Sequence, residues 1–155
     1  MVVLSSDFIH AECLICSCCY IYIYICFMKS ESLDLGENHL KGTIPLGTGL
    51  LLKLKVLNLK GNALTGTIPT TIGMLHNLVV LDLSVNELVG SIPSEIGQCN
   101  QLEILHMDSN NLQGSIPPAL FDCSRLLQVR LGNNSFTGSI PSNIDQIPNI
   151  KQRKY

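Results

Sequence analysis

The feature that most constrains this chain is a strict internal period of 24, marked first by its Ile-Pro pairs. These stand at Ile44-Pro45, Ile68-Pro69, Ile92-Pro93, Ile116-Pro117 and Ile140-Pro141, at one constant step. Gly42, Gly66, Gly90, Gly114 and Gly138 keep the same step, as do Asn38, Asn62, Asn86, Asn110 and Asn134. So do Leu40, Leu64, Leu88, Leu112 and Phe136, and the apolar pairs Leu33/Leu35, Leu57/Leu59, Leu81/Leu83, Leu105/Met107 and Val129/Leu131. Several residue types holding one register five times specify a repeat architecture. The step is far longer than a helical or strand period, so it is the length of one coil of a solenoid. Within each coil the L-x-L segment alternates, placing every second side chain inward from a short strand. Coils stacked in register make those strands parallel, and the rest of each coil is long enough for the crossover that parallel strands require. Asn at the end of the strand can satisfy backbone polar groups that the bend would otherwise orphan. The Gly relieves a turn, and the Pro fixes φ where no ladder donor is needed. Asn38, Asn62, Asn86, Asn110 and Asn134 therefore read as a structural ladder rather than a site.

The unit from Leu78 to Leu102 reads L-V-V-L-D-L-S-V-N-E-L-V-G-S-I-P-S-E-I-G-Q-C-N-Q-L. It resembles the plant-specific leucine-rich repeat, LxxLxLxxNxLxGxIPxxLGxLxxL, and the resemblance runs from Ser32 to Ile150. The resemblance implies a right-handed α/β solenoid with a parallel β-sheet on its concave face and mostly loops and short 3-10 turns on its convex face. It also implies the ectodomains of receptor-like kinases, receptor-like proteins or secreted enzyme inhibitors. On that basis the chain is expected to be a fragment of a plant receptor-like kinase or receptor-like protein ectodomain, at the plasma membrane or outside the cell. Such a module would be non-catalytic, with a peptide or protein ligand and a co-receptor as partners. The alternatives are a secreted repeat protein resembling the polygalacturonase inhibitors, which normally has more coils and both caps, and a non-functional truncated gene product.

Composition narrows the function classes. Ten Lys and Arg against twelve Asp and Glu give a net charge of −2, so there is no basic excess for a nucleic acid. Aromatics are 5% and Trp is absent, so aliphatic side chains must build the core. No Gly-rich phosphate loop and no G-x-S-x-G elbow occurs. His10, His39, His76 and His106 sit in unrelated registers, with only His106 on a strand. No enzyme, cofactor or metal is expected. Cys13, Cys16, Cys18, Cys19 and Cys26 contain one C-x2-C but no second pair at a zinc spacing. Cys99 and Cys123 lie one period apart at the slot of Leu51 and Leu75, where they read as small core hydrophobes, with a disulfide the less favoured alternative.

The ends depart from the repeat. Residues 1–30 are a hydrophobic non-repeat segment in which the run Cys13–Met28 has Ser17 as its sole non-hydrophobic member. Three readings stay open: an atypical signal or membrane anchor, a strand-like cap formed by the alternating Tyr20–Ile25, or an extension foreign to the ectodomain. The run is preceded by Asp7 and Glu12 with no Lys or Arg, unlike a signal peptide, and is short against the ~20 residues of a span. Membrane association through residues 13–28, or through a longer parent receptor, stays open. Residues 31–152 hold five coils and a truncated sixth continued by Ile144, Ile147 and Ile150, and residues 153–155 form a polar end with Arg153 and Tyr155 at apolar slots. The family's usual amino-terminal cap, a paired-cysteine module with a Trp, is missing.

Outward positions beside the strand leucines form rows across the coils. One row reads Asp34, Asn58, Asp82, His106, Arg130; the next reads Gly36, Lys60, Ser84, Asp108, Gly132; a third reads Ser32, Val56, Val80, Ile104, Gln128. The binding candidates are Val56, Asn58, Lys60, Val80, Asp82, Ile104, His106, Asp108, Gln128 and Arg130. Asp82 and Ser84 follow the family's background pattern, whereas His106, Asp108 and Arg130 depart from it. Asn133-Asn134-Ser135 is the single N-x-S/T sequon and nominates Asn133 for a glycan. Five strands at about 4.8 Å spacing would present roughly 300–400 Å². A standard protein complex uses ~800 Å² per partner.

Overall fold

The structure is a computed structural model that describes residues 2–3, 30–142 and 152–154. The run Cys13–Met28, with its Tyr20–Ile25 alternation, and Ile144, Ile147 and Ile150 lie outside the described residues. Twelve short strands occur among those described, in chain order β1 (Val2–Val3), β2 (Ser32–Asp34), β3 (Lys41–Thr43), β4 (Val56–Asn58), β5 (Ala63–Thr65) and β6 (Val80–Asp82), then β7 (Val89–Gly90), β8 (Ile104–His106), β9 (Asn111–Gly114), β10 (Gln128–Arg130), β11 (Ser135–Phe136) and β12 (Gln152–Lys154). Single 3-10 turns at Leu46–Leu50, Thr70–Met74, Ser94–Gln98 and Pro118–Asp122 complete the coils.

The concave sheet is parallel throughout, in the order β1-β2-β4-β6-β8-β10-β12. It therefore has seven strands, not the five read from the leucine pairs alone. The sixth coil contributes β12, whose Arg153 stands opposite Val129 at an apolar slot, because ladder pairing uses backbone groups and tolerates that side chain at the end of the sheet. β12 also crosses the limit drawn at residue 153 between repeats and polar end. At the other end the strand beside the first coil is β1, with Val2 opposite Leu33.

A second row of strands was not foretold by the period. β3 pairs with β5, and β7, β9 and β11 form another parallel set, on the chain just after the asparagines. Concave partners keep the full period of 24, as in Leu57 and Leu81. In the second row they are 22 apart, as in Gly42 and Leu64 or Val89 and Asn111. The coils are thus staggered by two residues once the chain has turned off the concave face.

The asparagine side chain sits at that turn. Asn110 Oδ1 accepts from the Leu88 N–H of the preceding coil at 3.0 Å, and its amide donates to the carbonyls of Leu83 at 2.9 Å and Met107 at 3.2 Å. Asn62, Asn86 and Asn134 repeat the pattern. The residue just before each asparagine is left-handed, with φ between 53° and 66° at Glu37, Gly61, Val85, Ser109 and Asn133. Gly61 takes this conformation freely, whereas β-branched Val85 is strained by about 1–2 kcal/mol. The ladder evidently holds the turn against that cost.

Leu57, Leu81, Leu105 and Val129 are fully buried, and one aliphatic core extends through all the described coils. The proline of each Ile-Pro pair stands immediately before its 3-10 turn, with φ of −66°, −70°, −68° and −67° at Pro45, Pro69, Pro93 and Pro117. Its ring pre-sets the entry to the turn without forfeiting a donor. The turns stack so closely that a Cβ on Gly73 would lie 2.4 Å from the Glu95 carbonyl oxygen.

Replacing Asn110 by Ala leaves the Leu88 N–H of a closed interior without its partner, while the carbonyls of Leu83 and Met107 keep the amides of Asn86 and Asn134. It should lower the unfolding free energy by about 2 kcal/mol, the cost of one buried donor left unpaired. Asn38→Ala, which removes donation only to Leu35 and Gly36 of its own coil, should cost less. Urea denaturation of the full chain measures both.

Candidate interaction surface

β4, β6, β8 and β10 each bury their middle residue and leave the two flanking ones half-buried. This alternation puts all ten candidates on one face: Val56, Asn58, Lys60, Val80, Asp82, Ile104, His106, Asp108, Gln128 and Arg130 are each half-buried. Val56, Val80 and Ile104 are successive ladder partners, so they form a continuous apolar strip. Asn58, Asp82, His106 and Arg130 follow one another in the same way two residues along.

The polar row divides in two. In the first three coils its side chains are engaged with the scaffold. Asp34 Oδ1 accepts from the Gly36 N–H at 3.0 Å and from the Asn58 amide at 2.9 Å. Asn58 Oδ1 accepts from the Lys60 N–H at 3.1 Å, and Asp82 Oδ1 accepts from the Ser84 N–H at 2.9 Å and its hydroxyl at 2.6 Å. A short acceptor two residues before an N–H braces the strand exit as an Asx turn. That explains why Asp82 and Ser84 follow the repeat pattern and why Ser84 is buried. In the fourth and fifth coils the slot holds an imidazole and a guanidinium, and with them goes the bracing acceptor. His106 Nδ1 lies 3.2 Å from Asp82 Oδ2, and Asp108 sits one slot over on the same strand exit.

Lys60 carries a partner that sequence reading missed. Glu37 Oε1 is 2.9 Å from its Nζ, and this carboxylate holds the Lys60 ammonium above its ordinary range. Glu37 occupies the left-handed slot, so the ion pair reaches across coils one step off the repeat register, a spacing no row displays. Asn133 occupies the same slot in the fifth coil. It is exposed and donates to Ser109 Oγ at 3.3 Å, while the amide of neighbouring Asn134 is committed to Met107 and Leu131. His39 is exposed on a loop, and His76 Nδ1 lies 3.1 Å from the Gln98 carbonyl on the convex side.

Cys99 and Cys123 are free thiols with no exposed surface. Each donates to a carbonyl of the preceding coil, Ile72 at 3.3 Å and Ile96 at 3.4 Å. Burial pushes Cys99 up to about 12 and Cys123 up to about 11 from 9.0. They are core residues, and no group of His, Cys, Asp and Glu among the described residues could hold a metal ion. Among the same residues no helix is long and apolar enough to cross a membrane.

Comparison with known proteins places this geometry. Two family profiles match, Leucine rich repeat over residues 52–112 and Leucine Rich Repeat over residues 125–147. No curated protein matches. Solved structures do. The PEPR1–AtPEP1 structure is similar at 34% identity and a TM-score of 0.80, covering 83% of this chain and 18% of that one. A plant peptide hormone receptor, RGFR1 in complex with RGF2, is similar at 38% identity and 0.80, covering 83% and 20%. The BIR3–SERK2 complex from Arabidopsis thaliana is similar at 43% identity and 0.69, covering 72% and 60%. The chain thus spans under a quarter of the first two and less than two thirds of the third.

The raised thiols set a pH dependence. Below pH 9, the unfolded value, both cysteines keep their protons in either state and contribute no slope. Between pH 9 and about 11 the unfolded chain releases protons that the folded chain retains, so stability falls as pH rises. Urea midpoints across that window should fall less steeply in Cys99→Ala than in the unaltered chain. Equal slopes would contradict a buried, protonated Cys99.

Proposed function

This chain belongs to the leucine-rich repeat family, and from that premise we propose that it is a non-catalytic recognition segment of a plant receptor ectodomain. It binds a peptide, or part of a protein, along its concave face, on the outer side of the plasma membrane. The observation that carries this reading is the likeness, at 38% identity and a TM-score of 0.80, to a plant receptor that holds a peptide hormone. The break in the polar row agrees with it. His106, Asp108 and Arg130 lie beside the apolar strip of Val56, Val80 and Ile104, where the bracing residues of the earlier coils give way.

Size argues for a shared task. Five strands at about 4.8 Å, each offering about five residues at ~3.3 Å, with β1 and β12 adding two and three residues at the edges, give roughly 470 Å² of concave face. A standard complex uses ~800 Å² per partner. A short extended peptide fits this face, and a protein partner needs further coils or a co-receptor. A related ectodomain, HAESA, is seen with both a peptide hormone and the co-receptor SERK1. Asn133, exposed at the rim of the fifth coil, is the residue that would carry a glycan outside the cell. The secreted-inhibitor and non-functional readings are less favoured, since the similar structures are receptor ectodomains.

A library of random peptides displayed on phage tests the reading with the full chain immobilised. Clones retained by the unaltered chain should lose tenfold or more in affinity on Ile104→Asp, about 1.4 kcal/mol. They should be unaffected by Met74→Asp on the convex side. Retention equal on both variants, or no enrichment at all, would contradict binding on the concave face.

A further inference from the structure

The concave strands carry opposite charges at their ends in different coils. In the second coil the position just before the strand is Lys55, and the position just after its apolar pair is Lys60. In the fourth coil the same two positions hold Glu103 and Asp108. The lysines are matched from the first coil, with Lys55 Nζ 2.8 Å from Glu31 Oε2 and Lys60 Nζ 2.9 Å from Glu37 Oε1. The carboxylates have no such match. The corresponding positions on either side of them are Val79 and Ser84 in the third coil and Leu127 and Gly132 in the fifth, none of them charged. Among the described residues neither Glu103 nor Asp108 forms an ion pair through its carboxylate. Glu37 is the main cause of the raised Lys60 ammonium, and Asp82 and Asp108 add to it from beyond ion-pair distance. The field of these carboxylates therefore extends along the concave face.

Glu103 and Asp108 are both half-buried and stand at the entry and the exit of β8, with Ile104 and His106 between them. At ~3.3 Å per residue they are roughly 16 Å apart along the strand. A cation brought to either one beneath a bound chain is shielded from solvent, which makes the pair stronger than one on an open surface. Arg130 is the ladder partner of His106 and ends the acidic stretch on its carboxyl-terminal side. Along an extended peptide successive side chains point to opposite sides. A chain crossing the strands over Ile104 therefore sends one side chain toward the entry of β8 and the next toward its exit. Resting on the concave-face reading above, we propose that the ligand of this face is a cationic peptide with two consecutive basic residues over β8. One reaches Glu103 and the other Asp108, on the long flexible stems of Lys or Arg. An apolar residue beside them seats on the strip of Val56, Val80 and Ile104.

Two phage libraries of equal peptide length test this on the immobilised full chain, one with Lys and Arg as its only ionisable residues and one with Asp and Glu. Clones should enrich from the basic library about tenfold or more over the acidic one, and they should carry two neighbouring basic residues. Asp108→Lys and Glu103→Lys should each weaken those clones by about tenfold or more. The similarly shaped Asp108→Asn and Glu103→Gln should weaken them in the same direction. Asp122→Lys, at an exposed convex position, changes the net charge equally and should leave them within about twofold. An equal loss on Asp122→Lys would reduce the preference to general attraction and overturn the proposal. Enrichment from the acidic library instead, or equally from both, overturns the cationic ligand and leaves concave binding standing. No enrichment from either library overturns both.

Discussion

The structure depends on one side chain repeated once in every coil. Asn62, Asn86, Asn110 and Asn134 each accept from a leucine N–H 22 residues earlier and donate to a carbonyl 27 residues earlier, as at Asn86 with Leu64 and Leu59. Those two numbers straddle the period. The donation ties the asparagine to the exit of the concave strand in the preceding coil, and the acceptance ties it to the start of the second row. A single amide therefore couples two sheets whose registers differ by two residues. Without it the leucine N–H at the start of the second row would be unpaired inside a closed core, at a cost of about 1–3 kcal/mol, while the concave-side carbonyl would keep the asparagine of its own coil. The strain tolerated at Val85 is intelligible on the same terms, because the left-handed residue is what aims the following asparagine inward.

Much of this was legible in the residues. The L-x-L alternation placed the inward leucines, the five asparagines marked the ladder, and Cys99 and Cys123 at a leucine slot marked core thiols. What was not legible has physical reasons. The second row pairs at 22, so a search for the longer period of the coil cannot show it; the stagger is created by hydrogen-bond geometry at the turn. β1 is two valines with no pattern to read, and β12 places Arg153 where a pattern asks for leucine. The strands at both ends exist because backbone ladders propagate from a formed edge, whatever side chains arrive there.

The concave polar row divides between coils whose residues brace their own strand exits and coils that carry other residue types. Alternation alone selected the ten concave residues, but it could not tell Asp34, Asn58 and Asp82, which brace their own strand exits, from His106 and Arg130, which replace that brace. Charge counts could not reveal that Lys60 is paired with Glu37 across the coil boundary. The concave polar row thus changes residue type at its carboxyl-terminal coils, which a list of outward positions does not show.

The central claim is that the asparagine ladder, rather than strand pairing alone, holds the coils in one stagger. Native-state hydrogen exchange tests it residue by residue. The amides of Leu64, Leu88 and Leu112, which donate to asparagine side chains, should exchange only on global opening, at rates matching Leu59, Leu83 and Met107 in the concave ladder. If the three side-chain-bonded amides exchange much faster than the concave ones, the ladder is a local ornament and the claim fails.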